Sequence, residues 1–245
     1  MATPTTAQLT TLLTALGLPP PNPSFLAPIL IPPPSRSLPP LPALVATAKH
    51  RLLSTDLTAP QVLLPSAASL PNHIASPTLP SQTLPCDVVL QVLEVEDTSR
   101  SKWEQIEALD MERKGEFIKG REVIRVVPAN EDEPSSASTQ APQGNARAVN
   151  SYGPFKLSLQ DWKGATIYGF ELQKVPKIGY PPTMSIGSKI LLKKGIKVAR
   201  GMVLLDPRNC VVLGGKVEGL DKAWQKGREQ ELRDSVGGGR KRSEV

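Results

Sequence analysis

Residues 200–217 read Arg-Gly-Met-Val-Leu-Leu-Asp-Pro-Arg-Asn-Cys-Val-Val-Leu-Gly-Gly-Lys-Val and contain two short apolar runs, Met202 to Leu205 and Cys210 to Leu213. Leucine and β-branched side chains in runs of this length are typical of buried strands. Proline and aspartate suit the corners of a tight turn, so Asp206 to Asn209 predicts a hairpin between the two strands. The second strand ends at Gly214-Gly215, where the missing Cβ favours a bulge or a left-handed backbone.

Working outward from this pair, four upstream segments also have the composition of strands: 86–95, 155–159, 165–175 and 189–192. The second and third are joined by Asp161-Trp-Lys-Gly164, a turn that ends in glycine. Residues 176–187 contain Pro181-Pro182 and predict an irregular loop. A charged stretch, 217–233, predicts a C-terminal helix, so the sequence indicates a mainly β domain with a helix after it.

The first third of the chain differs in composition from the rest. Eighteen of the 26 prolines precede Cys86, and this part contains one aromatic residue, Phe25. Leucines at helical spacing predict short helices over 5–16 and from Pro42 onward, with irregular chain over 18–42. A segment so rich in proline is not expected to bury a large core of its own. The length allows one or two domains, and the prolines favour one.

A long insertion, about 98–153, separates the first predicted strand from the second. Antiparallel neighbours are usually joined by about two to five residues, so an insertion of this length is functional or disordered. Trp103, Ile106 and Leu109 are spaced i, i+3, i+6 and predict one apolar face of a short helix. This cluster either folds back onto its own barrel or binds a partner. Residues 128–149 are of low complexity and predict disorder.

The sequence argues against several classes of protein. It has no apolar run of about 18 residues, which a membrane span needs. It has no phosphate-binding loop, serine-hydrolase or zinc-protease motif and no cysteine cluster, so we expect no catalysis, no cofactor and no metal. The histidines, His50 and His73, lie far from any ligand cluster. Cys86 and Cys210 predict buried, reduced thiols and therefore the cytosol or nucleus.

Positive charge is concentrated in one part of the chain. The net charge is +6 with a pI near 9.4, which favours an anionic partner. Residues 174–200 contain seven basic residues and no acidic one. The terminal Arg240-Lys-Arg242 is consistent with a nuclear-import patch.

Several spaced motifs, taken in order, carry a family resemblance. They are His50-Arg-Leu-Leu-Ser-Thr-Asp-Leu57, Leu157-Ser-Leu-Gln-Asp161, Gly169-Phe-Glu171, Gly187-Ser-Lys-Ile-Leu191, Arg200-Gly201 and Val212-Leu-Gly-Gly215. This series resembles the N-terminal OB-fold of the RecQ-mediated genome instability protein 1 family, in the short form found in fungi that lacks a second OB-fold.

The resemblance implies a fold and a domain organisation. The expected fold is mainly β, an OB-fold five-stranded barrel with a long insertion between its first two strands, short N-terminal helices before it and a C-terminal helix after it. The domain prediction is a proline-rich N-terminal region over 1–84, the OB-fold domain over 85–225 and a charged tail over 226–245.

The resemblance also implies a function. Family members are non-catalytic subunits of a RecQ helicase–topoisomerase III complex that dissolves double Holliday junctions, so the implied partners are a type IA topoisomerase and a RecQ-family helicase, in the nucleus. The family's insertion reaches the DNA gate of the topoisomerase, and the residues matching its pattern are Ser101, Trp103, Gln105, Ile106 and Leu109. Lys189 holds the Gly-x-Lys position and is predicted to contact the topoisomerase from the barrel surface.

An alternative from another class is a barrel that binds single-stranded nucleic acid by itself. OB-folds of that kind combine a basic groove with aromatic platforms on the second and third strands. The basic residues predicted for this role are Lys193, Lys194, Lys197 and Arg200. Tyr168 and Phe170 are the available aromatics, and one of them is expected to fill the core. A binding affinity that falls steeply as the salt concentration rises would distinguish nucleic-acid binding from topoisomerase binding.

Overall fold

The structure is a computed structural model that describes residues 5–31, 38–114, 116–119, 122–125 and 153–240. The chain divides into two compact units: unit 1 comprises residues 1–99 and 153–224, and unit 2 comprises residues 100–152 and 225–245. The predicted low-complexity segment, 128–149, lies outside the described residues. None of the helices in the described ranges has the length and apolar character to cross a membrane.

Short helices precede the strands, as predicted. The helices are α1 (Thr6–Ala15), α2 (Pro23–Leu26), α3 (Leu41–Ser54), α4 (Lys102–Lys114) and α5 (Glu218–Arg240), with a 3-10 turn at Ala27–Ile29. The strands are β1 (Gln82–Thr83), β2 (Val88–Asp97), β3 (Glu116–Lys119), β4 (Glu122–Arg125), β5 (Phe155–Gln160), β6 (Thr166–Glu171), β7 (Lys189–Leu192), β8 (Lys197–Ala199), β9 (Met202–Leu205) and β10 (Cys210–Gly214). The sequence pattern did not predict β1 and β8, because two or three residues are too few to show a period.

The main sheet of unit 1 has the strand order β1-β8-β9-β6-β5-β2-β7-β10. β9 runs parallel to β6, and the other neighbouring pairs are antiparallel. Following the strand directions across the sheet shows that β9 and β10 point the same way. They lie far apart in the strand order, yet residues 206–209 alone join them, a link that spans at most about 17 Å. The sheet must therefore curl until its two sides meet.

The predicted hairpin between β9 and β10 is wrong. The turn itself forms, since the Cys210 N–H donates to the Asp206 carbonyl at 2.9 Å and the Arg208 N–H donates to the Asp206 carboxylate at 2.8 Å. After this turn the chain continues in the same direction, and β10 pairs with β7 instead of β9. Apolar runs predict that strands exist, but they do not specify which strands pair.

The true hairpin lies one turn earlier, between β8 and β9. Its loop is Arg200-Gly201, with φ values of 48° and 77°. Positive φ at both central residues is the geometry of a two-residue type I′ turn, which matches the twist of the flanking strands. At the far end of the barrel, the predicted bulge is confirmed by a register shift between Val212 and Gly214.

Alternation along the strands separates the barrel core from its outer surface. On β5, Phe155, Leu157 and Leu159 are fully buried and alternate with half-buried residues. On β6, the prediction that Tyr168 or Phe170 fills the core is wrong, because Tyr168 is 50% exposed and Phe170 is half-buried. Because Tyr168 and Phe170 lie two residues apart on one strand, both side chains are on its outer face.

The N-terminal region forms a second hydrophobic cluster, which the sequence did not predict. Its buried members are Leu9, Leu13, Leu18, Leu26, Leu44, Ala48, Leu52, Leu53, Leu57, Val62, Leu63, Ala67 and the barrel residue Val89. The prediction of irregular chain over 18–42 is therefore wrong for 23–29, where α2 and the 3-10 turn lie. Leu18, before α2, and Leu26, within it, are both buried in this cluster. Proline at the start of a short helix already has a helical φ. The N–H group that it lacks would have had no partner within the helix, so no hydrogen bond is lost.

Two glycines allow the N-terminal region to approach the barrel closely. A Cβ on Gly201 would lie 2.3 Å from the Ala75 carbonyl oxygen, and a Cβ on Gly215 would lie 2.3 Å from the Leu53 carbonyl oxygen at the end of α3. Only glycine fits such a contact, so these positions explain two glycines of the motif series.

Adjacent glycines allow the effect of this contact on stability to be measured. Gly214 and Gly215 both have positive φ, but a Cβ on Gly214 would meet nothing within 4 Å. We expect Gly214→Ala to lower the free energy of unfolding by about 1–2 kcal/mol, the cost of left-handed backbone. Gly215→Ala must also displace α3 and should cost about 3 kcal/mol or more. Urea denaturation measures both, and equal losses would contradict a tight contact between Gly215 and α3.

Candidate partner-binding site

The insertion leaves the barrel at the end of β2, where Asp97 fixes the chain. Asp97 is 1% exposed, and its carboxylate accepts the Ser99 N–H at 2.9 Å and the Ser99 hydroxyl at 2.6 Å. The Asp97 N–H donates to the Tyr180 hydroxyl at 2.9 Å. Thr98 donates twice to the Pro154 carbonyl, through its N–H at 3.1 Å and its hydroxyl at 2.6 Å.

The insertion returns to the barrel at the start of β5, where Glu171 is the corresponding anchor. This residue is 3% exposed, and its carboxylate accepts the N–H groups of Phe155 at 3.2 Å and Val175 at 2.8 Å. Phe155 is also paired directly with Asp97 across β2 and β5. Hydrogen bonds to a buried carboxylate are stronger than those between neutral groups. Both ends of the insertion are therefore held side by side on a rigid base.

Within unit 2, α4 contains the short helix that the spacing of Trp103, Ile106 and Leu109 predicts. Ser101 caps it: its hydroxyl accepts the Glu104 N–H at 3.2 Å, while the Glu104 carboxylate accepts the Ser101 N–H at 2.8 Å. This reciprocal pair is a capping box. Trp103, in the first turn, is 61% exposed.

The predicted apolar face of α4 is only partly exposed. Ile106 is 2% exposed and Gln105 is 4% exposed, whereas Leu109 is half-buried. Positions i and i+6 of a helix point about 120° apart, so Trp103 and Leu109 do not share one stripe. The prediction that Ile106 is an exposed anchor is therefore wrong for the free protein. Of the apolar residues in the predicted set, Trp103 is the most exposed.

Polar contacts connect α4 to the part of α5 that belongs to unit 2. Arg228 donates to the Gln105 side-chain oxygen at 3.3 Å, and Arg233 pairs with Asp110 at 3.0 Å. Arg113 lies 3.8 Å from Glu229. Exposed ion pairs contribute little individually. These contacts nevertheless show that α4 is an ordered helix in the free protein and does not need a partner to become ordered.

The prediction that Lys189 lies on the barrel surface is wrong. Lys189 is 0% exposed, and its ammonium donates to the Gly187 carbonyl at 2.7 Å. Burial lowers the pKa of Lys189 to about 8, and the charge of Asp56 partly offsets this shift. A lysine opening a short strand gives no sequence signal of its burial, because its long side chain can as well extend into solvent.

Lys189 belongs to a buried polar network that joins the barrel to the N-terminal region. Gln91, paired with Lys189 across β2 and β7, donates to the Asp56 carboxylate at 2.8 Å and accepts the Leu57 N–H at 3.1 Å. Burial acts to raise the pKa of Asp56, but hydrogen bonds from Thr58 and Gln91 and the charge of Lys189 lower it overall. Such a network specifies one docking geometry, because any other leaves buried polar groups unpaired.

The four basic residues predicted to bind nucleic acid are all exposed but fall into two groups. Lys193 and Lys194 lie in the turn after β7, where the Lys194 N–H donates to Asp87 at 2.7 Å. Lys197 lies on β8, and Arg200 lies in the β8–β9 turn. Only the second group borders β9 and the outer face of β6.

Metal-ligating groups and thiols are two further features on which the sequence makes predictions. Among the described residues, no cluster of three or more histidine, cysteine, aspartate or glutamate side chains could hold a metal ion. Burial, with a contribution from the charge of Glu171, raises the pKa of the Cys210 thiol to about 12. Cys86 is exposed, contrary to the prediction that both thiols are buried.

A family model described as "RMI1, N-terminal OB-fold domain" matches residues 70–228. The chain belongs to this family. The match confirms the OB-fold and the resemblance carried by the motif series, and it covers β1 to β10 together with the first half of α5.

Two relatives are named RecQ-mediated genome instability protein 1. The protein of Schizosaccharomyces pombe is 30% identical over 141 residues, which make up 56% of this chain and 59% of the relative. The protein of Mus musculus is 44% identical over 69 residues, 27% of this chain and 11% of the relative. The chain therefore spans less than two thirds of the length of each.

Sequence reasoning missed the structural role of the buried carboxylates. Asp161 is fully buried and accepts the N–H groups of Leu70, Lys163 and Ala165, as Asp97 and Glu171 do for the insertion ends. The available signal was an acidic residue at the end of a strand, where the exposed N–H groups of the following turn need an acceptor.

The buried Lys189 predicts an unusual dependence of stability on pH. Between about pH 8 and pH 10.5 the folded protein binds fewer protons at Lys189 than the unfolded chain, so the free energy of unfolding should rise with pH in this window. The slope is at most about 1.4 kcal/mol per pH unit. Lys189→Met keeps the apolar stem and should lack the rise. Urea denaturation of both proteins in this window tests the difference, and parallel profiles would contradict the burial of an ionisable Lys189.

Proposed function

We propose that this chain is a non-catalytic OB-fold subunit of a RecQ helicase–topoisomerase III complex, which promotes double Holliday junction dissolution in the nucleus. Its direct partner is a type IA topoisomerase, and the insertion beginning at α4 modulates the DNA gate of that enzyme. Membership of the RMI1 N-terminal OB-fold family supports this proposal. So do the names of the two relatives, which refer to RecQ-mediated genome instability.

The observation that carries the proposal is the exposure of Trp103. Tryptophan is the residue that most often provides a binding hot spot, and one with 61% of its surface exposed is available to a partner pocket. The capping box at Ser101 fixes the first turn of α4 and thereby the position of this side chain on the helix. A pre-organised side chain loses less entropy on binding than one on a disordered loop.

The rigid base of the insertion supports a mechanical role. Asp97 and Glu171 hold the two ends of the insertion beside each other on the barrel. A non-catalytic partner can change the gate of a topoisomerase only by binding its open and closed states with different affinities. The proposed subunit therefore shifts the population of gate states and leaves the chemistry to the topoisomerase.

Two substitutions on α4 separate binding from folding. Trp103→Ala should weaken binding of topoisomerase III by about 2 kcal/mol, or roughly 30-fold in Kd, because it removes an exposed anchor. Its thermal melt should stay unchanged, since Trp103 is exposed. Ile106→Ala should instead destabilise α4, because Ile106 is buried. Isothermal titration calorimetry measures the binding, and hydrogen exchange of the α4 amides measures the stability.

Glu107→Ala serves as the matched control, since Glu107 is an exposed residue of the same helix. It should leave both the affinity and the exchange rates at wild-type values. Wild-type affinity in Trp103→Ala would contradict the assignment of Trp103 as the anchor. Absence of any interaction between the wild-type chain and topoisomerase III would contradict the proposed function itself.

A further inference from the structure

A serine followed directly by proline, Ser76-Pro77, lies in the segment that leads to β2. We call this segment, residues 70–84, the connector. Ser76 is half-buried and the two residues after it are exposed. The Ser76 N–H donates to the His73 carbonyl at 2.9 Å. Because a proline restricts the residue before it to an extended backbone, Ser76 lies in an extended surface segment, the form in which protein kinases bind their substrates.

The hydroxyl of Ser76 makes its hydrogen bonds within the same segment. Its oxygen lies 2.7 Å from the Thr78 hydroxyl oxygen and accepts the Thr78 N–H at 3.4 Å. Both contacts are exposed to solvent. A group attached to this oxygen therefore leaves the packing of the connector against the barrel in place.

Close to Ser76, the connector lies against the β8–β9 turn. The Arg200 N–H donates to the Leu79 carbonyl at 3.2 Å. A Cβ on Gly201 would lie 2.8 Å from the Ala75 carbonyl carbon and 3.3 Å from the Ser76 carbonyl carbon. Ser76 and Arg200 are therefore neighbours in space, although they are far apart in sequence.

The charges on this side of the barrel are positive. Neither the stretch 57–86, which contains the connector, nor the stretch 174–205, which contains β8 and β9, has an acidic residue. Lys197 and Arg200 are both exposed. A negative charge added at Ser76 is therefore attracted by the nearby arginine and lysine, without repulsion from a carboxylate of either stretch.

Independently of the proposed function, we propose that Ser76 is a phosphorylation site of a proline-directed protein kinase and that its phosphate binds Arg200. In the transfer, the Ser76 oxygen attacks the γ-phosphorus of ATP and a new O–P bond forms. The bond from that phosphorus to the β–γ bridging oxygen breaks, ADP leaves, and the hydroxyl proton passes to the catalytic aspartate of the kinase. Kinases of this class recognise the proline after the serine, which the neighbouring Thr78 and Ser81 lack.

The phosphate adds a contact between the connector and the β8–β9 turn. Phosphoserine carries a charge of about −1.5 to −2 at pH 7 and has three strong acceptor oxygens. The Arg200 guanidinium can donate two parallel hydrogen bonds to such a group. This contact reinforces the bond from the Arg200 N–H to the Leu79 carbonyl. Phosphorylation therefore fixes the connector on this edge of the barrel and offsets the positive charge there.

The first experiment tests the modification itself. The full chain is incubated with ATP and a recombinant mitogen-activated protein kinase, and phosphorylated residues are located by mass spectrometry of peptide fragments. We expect phosphate at Ser76. Pro77→Ala removes the recognised proline and should lose most of this phosphate. A synthetic peptide of residues 70–84 shows whether the kinase accepts the sequence outside the folded protein.

The second experiment tests the contact with Arg200. NMR measures hydrogen exchange of the Arg200 amide before and after phosphorylation, and exchange should slow roughly tenfold because the added hydrogen bonds hold the turn. Arg200→Asn removes the guanidinium, while asparagine tolerates the left-handed backbone at φ 48°. In this variant phosphorylation should not slow exchange.

Two controls accompany this measurement. Arg208→Asn changes an exposed arginine of the link between β9 and β10 and should keep the full effect of phosphorylation. The Lys194 amide donates to Asp87 at 2.7 Å, beyond the opposite end of β8 from Arg200, and should exchange at one rate throughout.

Three results would overturn the proposal. Phosphate on the peptide but not on the folded chain would show that Ser76 is inaccessible. Absence of phosphate from both would show that the Ser-Pro pair is not recognised. Exchange of the Arg200 amide that is unchanged or faster after phosphorylation, or equally slowed in Arg200→Asn, would show that Arg200 does not hold the phosphate. The proposed function, which depends on α4, stands whichever result is found.

Discussion

Closure of the barrel by a four-residue link is the constraint on which the rest of unit 1 depends. Residues 206–209 join β9, which pairs with β6, to β10, which pairs with β7. Because so short a segment cannot cross a flat sheet, the sheet has to curl around its apolar side chains. That curl determines which residues face inward. It places Tyr168 and Phe170 outside, while the direct pairing of β2 with β5 brings their ends together at the base of the insertion.

Buried carboxylates then stabilise the irregular backbone at the edges of the barrel. Asp97, Asp161 and Glu171 each accept two or more hydrogen bonds, mostly from backbone N–H groups. Loops that leave a closed barrel expose backbone donors that no strand can pair. A carboxylate satisfies several of them at once, which holds the insertion ends and the β5–β6 turn in single conformations. The insertion is thus attached to a base that does not itself depend on a partner.

The basic residues of this chain have separate roles despite their closeness in sequence. Lys189 is buried in a network with Gln91 and Asp56 that joins the N-terminal region to the barrel. Lys197 and Arg200 border β9 and the outer face of β6, while Lys193 and Lys194 lie in the turn after β7. The net positive charge therefore describes the whole chain, whereas binding of an anionic partner depends on which charged side chains lie together on the surface. Trp103 and Tyr168 likewise belong to different units.

The sequence by itself determined the family, the OB-fold, the positions of the main strands and the presence of a helix around Trp103. These properties depend on local patterns: apolar periodicity, turn residues and motif spacing. Only the tertiary structure decided that β9 and β10 do not pair, that Lys189 and Ile106 are buried, that Pro23 begins a packed helix, and that both β6 aromatics face outward. The physical reason is that burial and strand pairing depend on neighbours distant in sequence, whose contacts exist only once the barrel has closed.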